Sequence, residues 1–158
     1  MLRKLMISGT VVAAGIALLQ VSAFAQTGAN ARQIAAIEAR QAAMKRIGGA
    51  MKILAGFAKG DVADKGKAVE AAKTVEASGR QFRKLLPKGT EAGVGKSKAK
   101  AEIWTDSRAF DQQMRALITA AAATRKAAAT GDPAAVGAQL GALGDTCKSC
   151  HSKFQKKG

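Results

Sequence analysis

The chain is short and strongly basic, with 158 residues, a formal charge of +15 at pH 7 and only 4% aromatic residues. Its length suggests one domain, and its charge suits a nucleic-acid binder, a binder of membrane surfaces or a protein that meets acidic partners. Because the basic residues are spread over the whole chain rather than grouped in one block, the composition argues against nucleic acid, and the scarcity of large side chains leaves core volume that a bulky apolar group would fill.

The first 25 residues have the pattern of a cleaved secretory signal. A basic start at Arg3-Lys4 precedes an apolar stretch from Val11 to Leu19, and Ala23-Phe24-Ala25 then has small residues at its first and third positions. The apolar stretch is shorter than the about 20 residues that span a bilayer. We therefore expect cleavage after Ala25, a mature domain of residues 26–158, export to the bacterial periplasm and no stable membrane insertion.

After the signal, apolar residues recur every three or four positions, which is the period of an α-helix, and strand-like alternation is missing. Helix one is expected over about residues 31–58, with Ile37, Met44 and Met51 at heptad spacing on its buried face. The pair Gly48-Gly49 lies in the middle of this helix, where each glycine costs about 1 kcal/mol relative to alanine. We expect a kink or the close approach of a bulky group there.

Three more helices and one long linker follow. Helix two is expected over about residues 64–86, a mobile crossover linker rich in Gly and Lys over residues 87–99, and helix three over about residues 102–129. Helix four begins at Asp132-Pro133, an N-cap residue followed by proline at the first helical position. Four long helices in this order predict an all-α fold, an antiparallel four-helix bundle.

Helix four ends in the most specific pattern of the chain, Cys147-Lys148-Ser149-Cys150-His151. C-x-x-C-H is the signature of covalent c-type haem attachment. Two thiols three residues apart on a helix point the same way, so both can add to the vinyl groups of one porphyrin. His151 is the only histidine of the chain and can reach the iron from one face. We predict one haem c, bound through thioethers of Cys147 and Cys150, with His151 as an iron ligand.

Other uses of these three side chains are less favoured. A disulfide between Cys147 and Cys150 is possible after export, but it would close a very small loop and stabilise little. A thioredoxin-like redox pair requires a βαβ setting that the helical pattern lacks. A structural zinc site usually takes four N or S ligands, and the chain has no Cys or His beyond these three.

The motif lies in the last helix with only seven residues after it, and this placement resembles the class II cytochromes c, the family that includes cytochrome c′. The resemblance extends over the mature chain, through Arg40 to Lys45, Ala58-Lys59-Gly60, Glu102-Ile103-Trp104 and Phe110-Asp111. It implies the same four-helix bundle with covalently attached c-type haem.

The resemblance also implies which residue faces the iron opposite His151. Met44 stands at the distal position of the family pattern, most like the low-spin branch, in which a methionine sulfur binds the iron. Thioether ligation suits a single-electron carrier that turns over no substrate. The alternative is a five-coordinate, high-spin cytochrome c′ that binds small gases such as nitric oxide, with Met44 as a core residue. Met51 and Met114 are weaker ligand candidates.

Arg40 lies one helical turn before Met44 on the same face, where a charged side chain needs a partner. We predict that it binds a haem propionate through charge-assisted hydrogen bonds, the alternative being an arginine that reaches solvent. Lys153 and Lys156-Lys157 form a basic end of helix four that could dock redox partner proteins with acidic surfaces. No nucleic-acid partner is expected, and a monomer and a weak homodimer are equally compatible with the sequence.

Overall fold

The described part of the molecule is almost entirely helical. A computed structural model describes the backbone of residues 12–157 and the side chains of residues 30–157. Its α-helices are α1 (Val12–Lys59), α2 (Lys65–Phe82), α3 (Glu102–Thr105), α4 (Ser107–Thr130) and α5 (Pro133–Phe154). A 3₁₀ turn at Arg83–Leu85 prolongs α2, and within the described residues the only β-type pairing is an isolated bridge between Ala99 and Gln155. The predicted all-α class is confirmed.

Helix α1 begins earlier than the sequence pattern suggested. We expected a start near residue 31, and in the unprocessed chain that boundary is wrong because α1 begins at Val12. The apolar stretch is itself rich in helix-forming residues, and both prolines of the chain lie downstream of α1. Residues 1–11 of the predicted signal lie outside the described residues, and cleavage after Ala25 stays a prediction. No described helix is long and apolar enough to cross a membrane.

The glycine pair in α1 does not have the predicted effect on the helix. Helix α1 continues through Gly48-Gly49 without interruption, and no heavy atom lies within 4 Å of the position that a Cβ would take at either glycine. No protein side chain approaches this segment closely, and the close approach of another bulky group stays a prediction. Both glycines are exposed.

Predicted helix three is divided into two helices. Asp106 separates α3 from α4 with φ −117° and ψ 55°, and its carboxylate accepts hydrogen bonds from the Ala109 backbone N–H at 3.3 Å and from Lys153 Nζ at 2.8 Å. Aspartate competes for backbone N–H groups in this way and is therefore favoured at N-caps rather than inside helices. The predicted N-cap of the last helix is confirmed, since Asp132 accepts from the Ala134 N–H at 2.9 Å.

The four long helices form a closed ring in the order α1, α2, α4, α5. Helix α1 packs against α2 and α5, and α4 packs against the same two helices, so α1 and α4 are diagonal. Short connections join α1 to α2 and α4 to α5, and the α4 N-cap Asp106 contacts Lys153 near the end of α5. Neighbouring helices are thus antiparallel, and the predicted bundle is confirmed.

The core is densely filled at only one end of this bundle. The end that contains the α1–α2 connection is filled by fully buried side chains with alanines between them: Leu54, Phe57, Val75, Val136, Leu143, Ala68, Ala72, Ala121 and Ala128. Alanine allows helix backbones to approach closely, so this end needs few large side chains. At the other end the helices surround a cavity.

An ion-pair network joins α2 to α4 across the bundle surface. The Glu76 side chain is only 14% exposed, and its carboxylate accepts from Arg80 at 2.7 Å and from Arg125 at 3.1 Å. These hydrogen bonds, first from Arg80 and then from Arg125, hold the pKa of Glu76 below its ordinary value of 4.5. A carboxylate with a lowered pKa stabilises the fold above its unfolded-state pKa, and this contribution is lost as the pH falls through the folded-state pKa.

We therefore predict that Glu76→Gln lowers the free energy of unfolding by about 1 kcal/mol at pH 7. The difference from the wild type should narrow as the pH falls from 4.5 through the lower folded-state pKa of Glu76, because the wild-type carboxylate then becomes protonated and loses its charge. Urea unfolding at a series of pH values measures this. Glu70→Gln is the matched control, since Glu70 forms an exposed pair with Lys73 on the same helix. A Glu76→Gln effect that does not change with pH would contradict the prediction.

Candidate functional site

The open end of the bundle contains a cavity of about 300 Å³ between α1, the end of α2, the start of α4 and the end of α5. Its apolar wall comes from Met44, Phe82, Ile103, Phe110 and Phe154. A smaller cavity of about 40 Å³ adjoins it and shares Met44, Cys150 and His151 with the larger one. We call the two together the α1–α5 cavity. Four helices and the linker thus enclose one space with a mainly apolar wall.

The predicted attachment motif lines this space. Cys150 and His151 border both parts of the α1–α5 cavity, and Cys147 borders the smaller part. Both cysteines are half-buried free thiols, and the Cys147 thiol donates to the Leu143 carbonyl at 3.4 Å. The last turns of α5 therefore present two thiols and one imidazole to the same cavity, as covalent haem attachment requires.

The environment of the two thiols does not suit redox or zinc chemistry. Burial raises the pKa of Cys150 to about 11, with a further contribution from Cys147, and burial also raises the pKa of Cys147. Thiol–disulfide exchange depends on the thiolate, which such pKa values disfavour at neutral pH. Among the residues described, no three His, Cys, Asp or Glu side chains cluster in a way that could hold a metal ion.

Met44 lies on α1 and faces the same space as His151 on α5. It is half-buried and borders both parts of the α1–α5 cavity, although it stands more than a hundred positions before His151 in the sequence. Met114 borders only the smaller part, and Met51 packs against the bundle core outside both cavity walls. Of these three methionines, Met44 is therefore the one that borders both parts of the cavity together with His151, and its ligation of the iron stays a prediction.

Arg40 borders the cavity, but its terminal nitrogens are directed at the linker. The side chain is 6% exposed. One terminal nitrogen donates to Thr90 Oγ1 at 3.2 Å and to the Leu85 carbonyl at 3.4 Å, and the other donates to the Thr90 carbonyl at 3.1 Å and to Ser97 Oγ at 2.8 Å. Burial lowers the pKa of Arg40, while nearby Glu91 raises it. Contact with a propionate stays a prediction.

The linker residues of the wall were not singled out by the sequence, whereas Phe110 already formed part of the family resemblance. Phe110 and Phe154 meet edge to face with ring centroids 5.3 Å apart, and the linker residues Lys98 and Ala99 close one side of the larger part. The linker was expected to be mobile, yet it is hydrogen-bonded to both α1 and α5. The aromatic spacing was visible in the sequence, but the contact between linker and helices depends on residues about 50 positions apart.

The charge of the wall fits haem. Arg40, Lys45 and Lys98 border the larger part of the cavity, and its wall includes no Asp or Glu. Haem combines an apolar ring with two anionic propionates, so an apolar space with cations at its border complements both parts of the group. The thiols supply the attachment points, and His151 supplies a nitrogen ligand. The residues present therefore fit a covalently bound haem.

Comparisons with known proteins agree with this assignment. The family model described as Cytochrome C′ matches residues 35–155. The chain is 35% identical to cytochrome c′ of Rhodospirillum rubrum over 144 residues, which cover 91% of this chain and 95% of that protein. None of these matches favours the low-spin branch over the rest of the family.

Solved structures are similar over most of the chain. A ferrous variant of cytochrome c prime from Alcaligenes xylosoxidans with bound NO is 26% identical, with a TM-score of 0.68, and covers 78% of this chain and 94% of its own. A second solved structure, of a cytochrome c′ described as having an unusual ligand-controlled dimer dissociation, is 28% identical, with a TM-score of 0.73. The match covers 79% of this chain and 97% of that chain. The bundle geometry is thus that of haem proteins of one family.

Replacing both thiols tests the attachment. We predict that Cys147→Ala combined with Cys150→Ala abolishes covalent haem, because no other cysteine is present to form a thioether. The measurement is a haem stain after denaturing electrophoresis, together with the intact mass. Lys148→Ala combined with Ser149→Ala is the matched control, since it changes the two intervening positions and should retain haem. Haem that stays covalently bound in the cysteine variant would refute the assignment.

Proposed function

The chain belongs to the cytochrome c′ family, whose members carry one covalently attached c-type haem, and on that premise we propose that its haem binds a small gas such as nitric oxide. The observation that carries the proposal is the small apolar space beside Met44. It has a volume of about 40 Å³ and is bordered by Met44, Ile47, Met114, Leu117 and one polar residue, Thr146, as well as by the attachment motif. Such a space suits an uncharged diatomic molecule better than a polar substrate.

This proposal replaces the electron carrier that the sequence pattern favoured. That expectation rested on ligation of the iron by Met44. The relatives support the alternative, because solved structures of cytochrome c prime from Alcaligenes xylosoxidans are described as nitric oxide complexes. In our proposal Met44 forms part of the apolar wall on the gas-binding side, and its neutral thioether leaves the iron free for the gas.

Each part of the site has a role in this mechanism. When bound, haem would supply the iron to which a small gas can bind. Cys147 and Cys150 hold the porphyrin by two thioethers, so the haem cannot dissociate from a small domain. His151, which borders both parts of the cavity, would offer an imidazole nitrogen to the iron. Met44 and its apolar neighbours exclude water from the gas-binding side, since a polar ligand there would lose hydrogen bonds.

The basic border of the cavity contributes to retention of the haem and to encounters with acidic partner proteins. Lys45 and Lys98 are exposed at the border of the larger cavity and can neutralise propionates. The same positive surface would steer acidic partner proteins toward the haem edge. We propose that the protein binds its ligand without turning over a substrate. A monomer or weak homodimer fits this role, and the relative with ligand-controlled dimer dissociation makes the effect of gas on assembly worth measuring.

The spectrum of the iron tests the gas-binding proposal. We expect the wild-type ferric and ferrous forms to be high-spin, and the ferrous form to bind nitric oxide and carbon monoxide. Met44→Ala should stay high-spin and bind carbon monoxide faster, on the order of tenfold if the wall contributes about 1.4 kcal/mol to the barrier. Optical and electron paramagnetic resonance spectra measure the spin state, and flash photolysis measures the rate of carbon monoxide binding.

Met51→Ala is the matched control for this experiment, because Met51 lies on the same helix but outside the walls of the two cavities. It should leave the spin state and the gas-binding rate unchanged. A low-spin wild type with a methionine-to-iron charge-transfer band, lost in Met44→Ala but kept in Met51→Ala, would restore the electron carrier.

Export is tested separately from the chemistry of the haem. We propose that the mature protein begins at Gln26 in the periplasm, because small residues at Ala23 and Ala25 suit signal peptidase. N-terminal sequencing of haem-loaded protein from the periplasmic fraction of an expressing bacterium should read from Gln26. Ala25→Arg should block cleavage and leave the protein with the membrane fraction, whereas Thr27→Ala should be processed normally. A wild type that retains Met1 in its haem-loaded form would contradict this prediction.

A further inference from the structure

Most of the segment between the 3₁₀ turn and α3 forms a strap, residues 90–100, across one side of the large cavity. Its residues Lys98 and Ala99 belong to the cavity wall. At one end the strap is fixed to α1 by Arg40, which donates to Thr90 and Ser97, and by Gln41, whose side chain donates to the Lys96 carbonyl at 2.8 Å. The strap is therefore a wall of the haem site whose position depends on α1.

The other end of the strap is fixed to the end of α5. The Lys100 N–H donates to the Phe154 carbonyl at 3.0 Å, and the Lys156 N–H donates to the Lys98 carbonyl at 2.8 Å. These two hydrogen bonds flank the bridge between Ala99 and Gln155. The attachment point lies about one helical turn after His151, and the Gln155 N–H still donates to the His151 carbonyl at 3.1 Å.

The strap thus links the two helices that carry the residues on opposite sides of the haem. Arg40 lies one turn before Met44 on α1, and Phe154 lies three positions after His151 on α5. A change in how the strap sits would change the separation of these two helices at the cavity.

The geometry at Arg40 suits a clamp. Its two terminal nitrogens reach three residues at once, Leu85, Thr90 and Ser97, with four hydrogen bonds. Only a planar guanidinium offers donors in such a fork, and a lysine ammonium does not. The hydrogen bonds to Thr90 and Ser97 are buried, so water does not compete for them.

We propose that Arg40 is a positioning residue that, through the strap, sets the separation of α1 and α5 and hence the room beside Met44 for a gas ligand. The inference rests on the proposed gas-binding function and adds a control of ligand access to it. In this arrangement the two terminal nitrogens of Arg40 donate all four of their hydrogen bonds to oxygens of the protein. The propionates then fall to the exposed cations Lys45 and Lys98.

The experiment compares haem-loaded Arg40→Lys, Ser97→Ala and the double variant. Arg40→Lys keeps a positive charge for a propionate but loses the fork, whereas Ser97→Ala removes only a strap acceptor. Both single variants should bind carbon monoxide faster than the wild type, on the order of tenfold. The double variant should be no faster than the faster single one, because both changes release the same strap.

Two matched controls exclude a general effect of the substitutions. Arg80→Lys alters an arginine of α2 that pairs with Glu76, and Thr74→Ala removes a hydroxyl that donates to the Glu70 backbone carbonyl, so neither change removes a hydrogen bond of the strap. Neither should change the rate. If Arg40→Lys changes the rate while Ser97→Ala equals the wild type, Arg40 acts on the propionate directly and the proposal is overturned. Wild-type rates in both strap variants would overturn it as well.

Hydrogen exchange gives a readout that does not depend on gas binding. The amides of Lys100 and Lys156, which join the strap to α5, should exchange faster in Arg40→Lys and in Ser97→Ala than in Arg80→Lys. If the wild type bound no gas, the proposed function would fail, while faster exchange would still support the clamp. Unchanged exchange in both strap variants would refute the clamp whatever the gas kinetics show.

Discussion

The bundle depends on filling a core that its own side chains complete at one end only. Around Leu54 and Leu143 the helices pack through alanines and a few large residues, all fully buried. At the opposite end the same four helices enclose about 300 Å³ with a largely apolar wall. An apolar space of this size needs an apolar occupant, because the side chains that line it would otherwise lack dispersion contacts. A rigid apolar ring that is covalently attached to α5 completes the core, so the cofactor serves the fold as well as the function.

Attachment through α5 determines where the other parts of the site must come from. Once Cys147, Cys150 and His151 fix one side of the ring, its other surroundings come from the two neighbours of α5 in the bundle, α1 and α4. The linker crosses from α2 to α3 beside the end of α5. It supplies the border of the cavity next to the edge of the haem that carries the propionates. The long linker is therefore not an accessory of the bundle but the fifth wall of its haem site.

The sequence predicted the parts of this arrangement that depend on local chemistry. C-x-x-C-H requires only five neighbouring residues, and Asp132-Pro133 needs only the following turn, so both were readable from the pattern. The break at Asp106 was missed because its carboxylate also binds Lys153, which is 47 positions away. The strap was missed for the same reason, since Arg40 and Ser97 are 57 positions apart. Lysine and glycine in the linker indicated mobility, whereas buried hydrogen bonds from a distant arginine hold it.

The same residue at position 44 is compatible with two functions, and the difference between them is one of distance. A methionine sulfur that reaches the iron makes a six-coordinate electron carrier, while the same side chain held slightly farther away forms the wall of a gas-binding site. A residue type cannot encode that separation. It follows from how closely α1 approaches α5, and at this end of the bundle both helices are fastened to one strap. In the proposed clamp, the choice between ligating and merely covering the iron would depend on buried hydrogen bonds one turn away from the methionine.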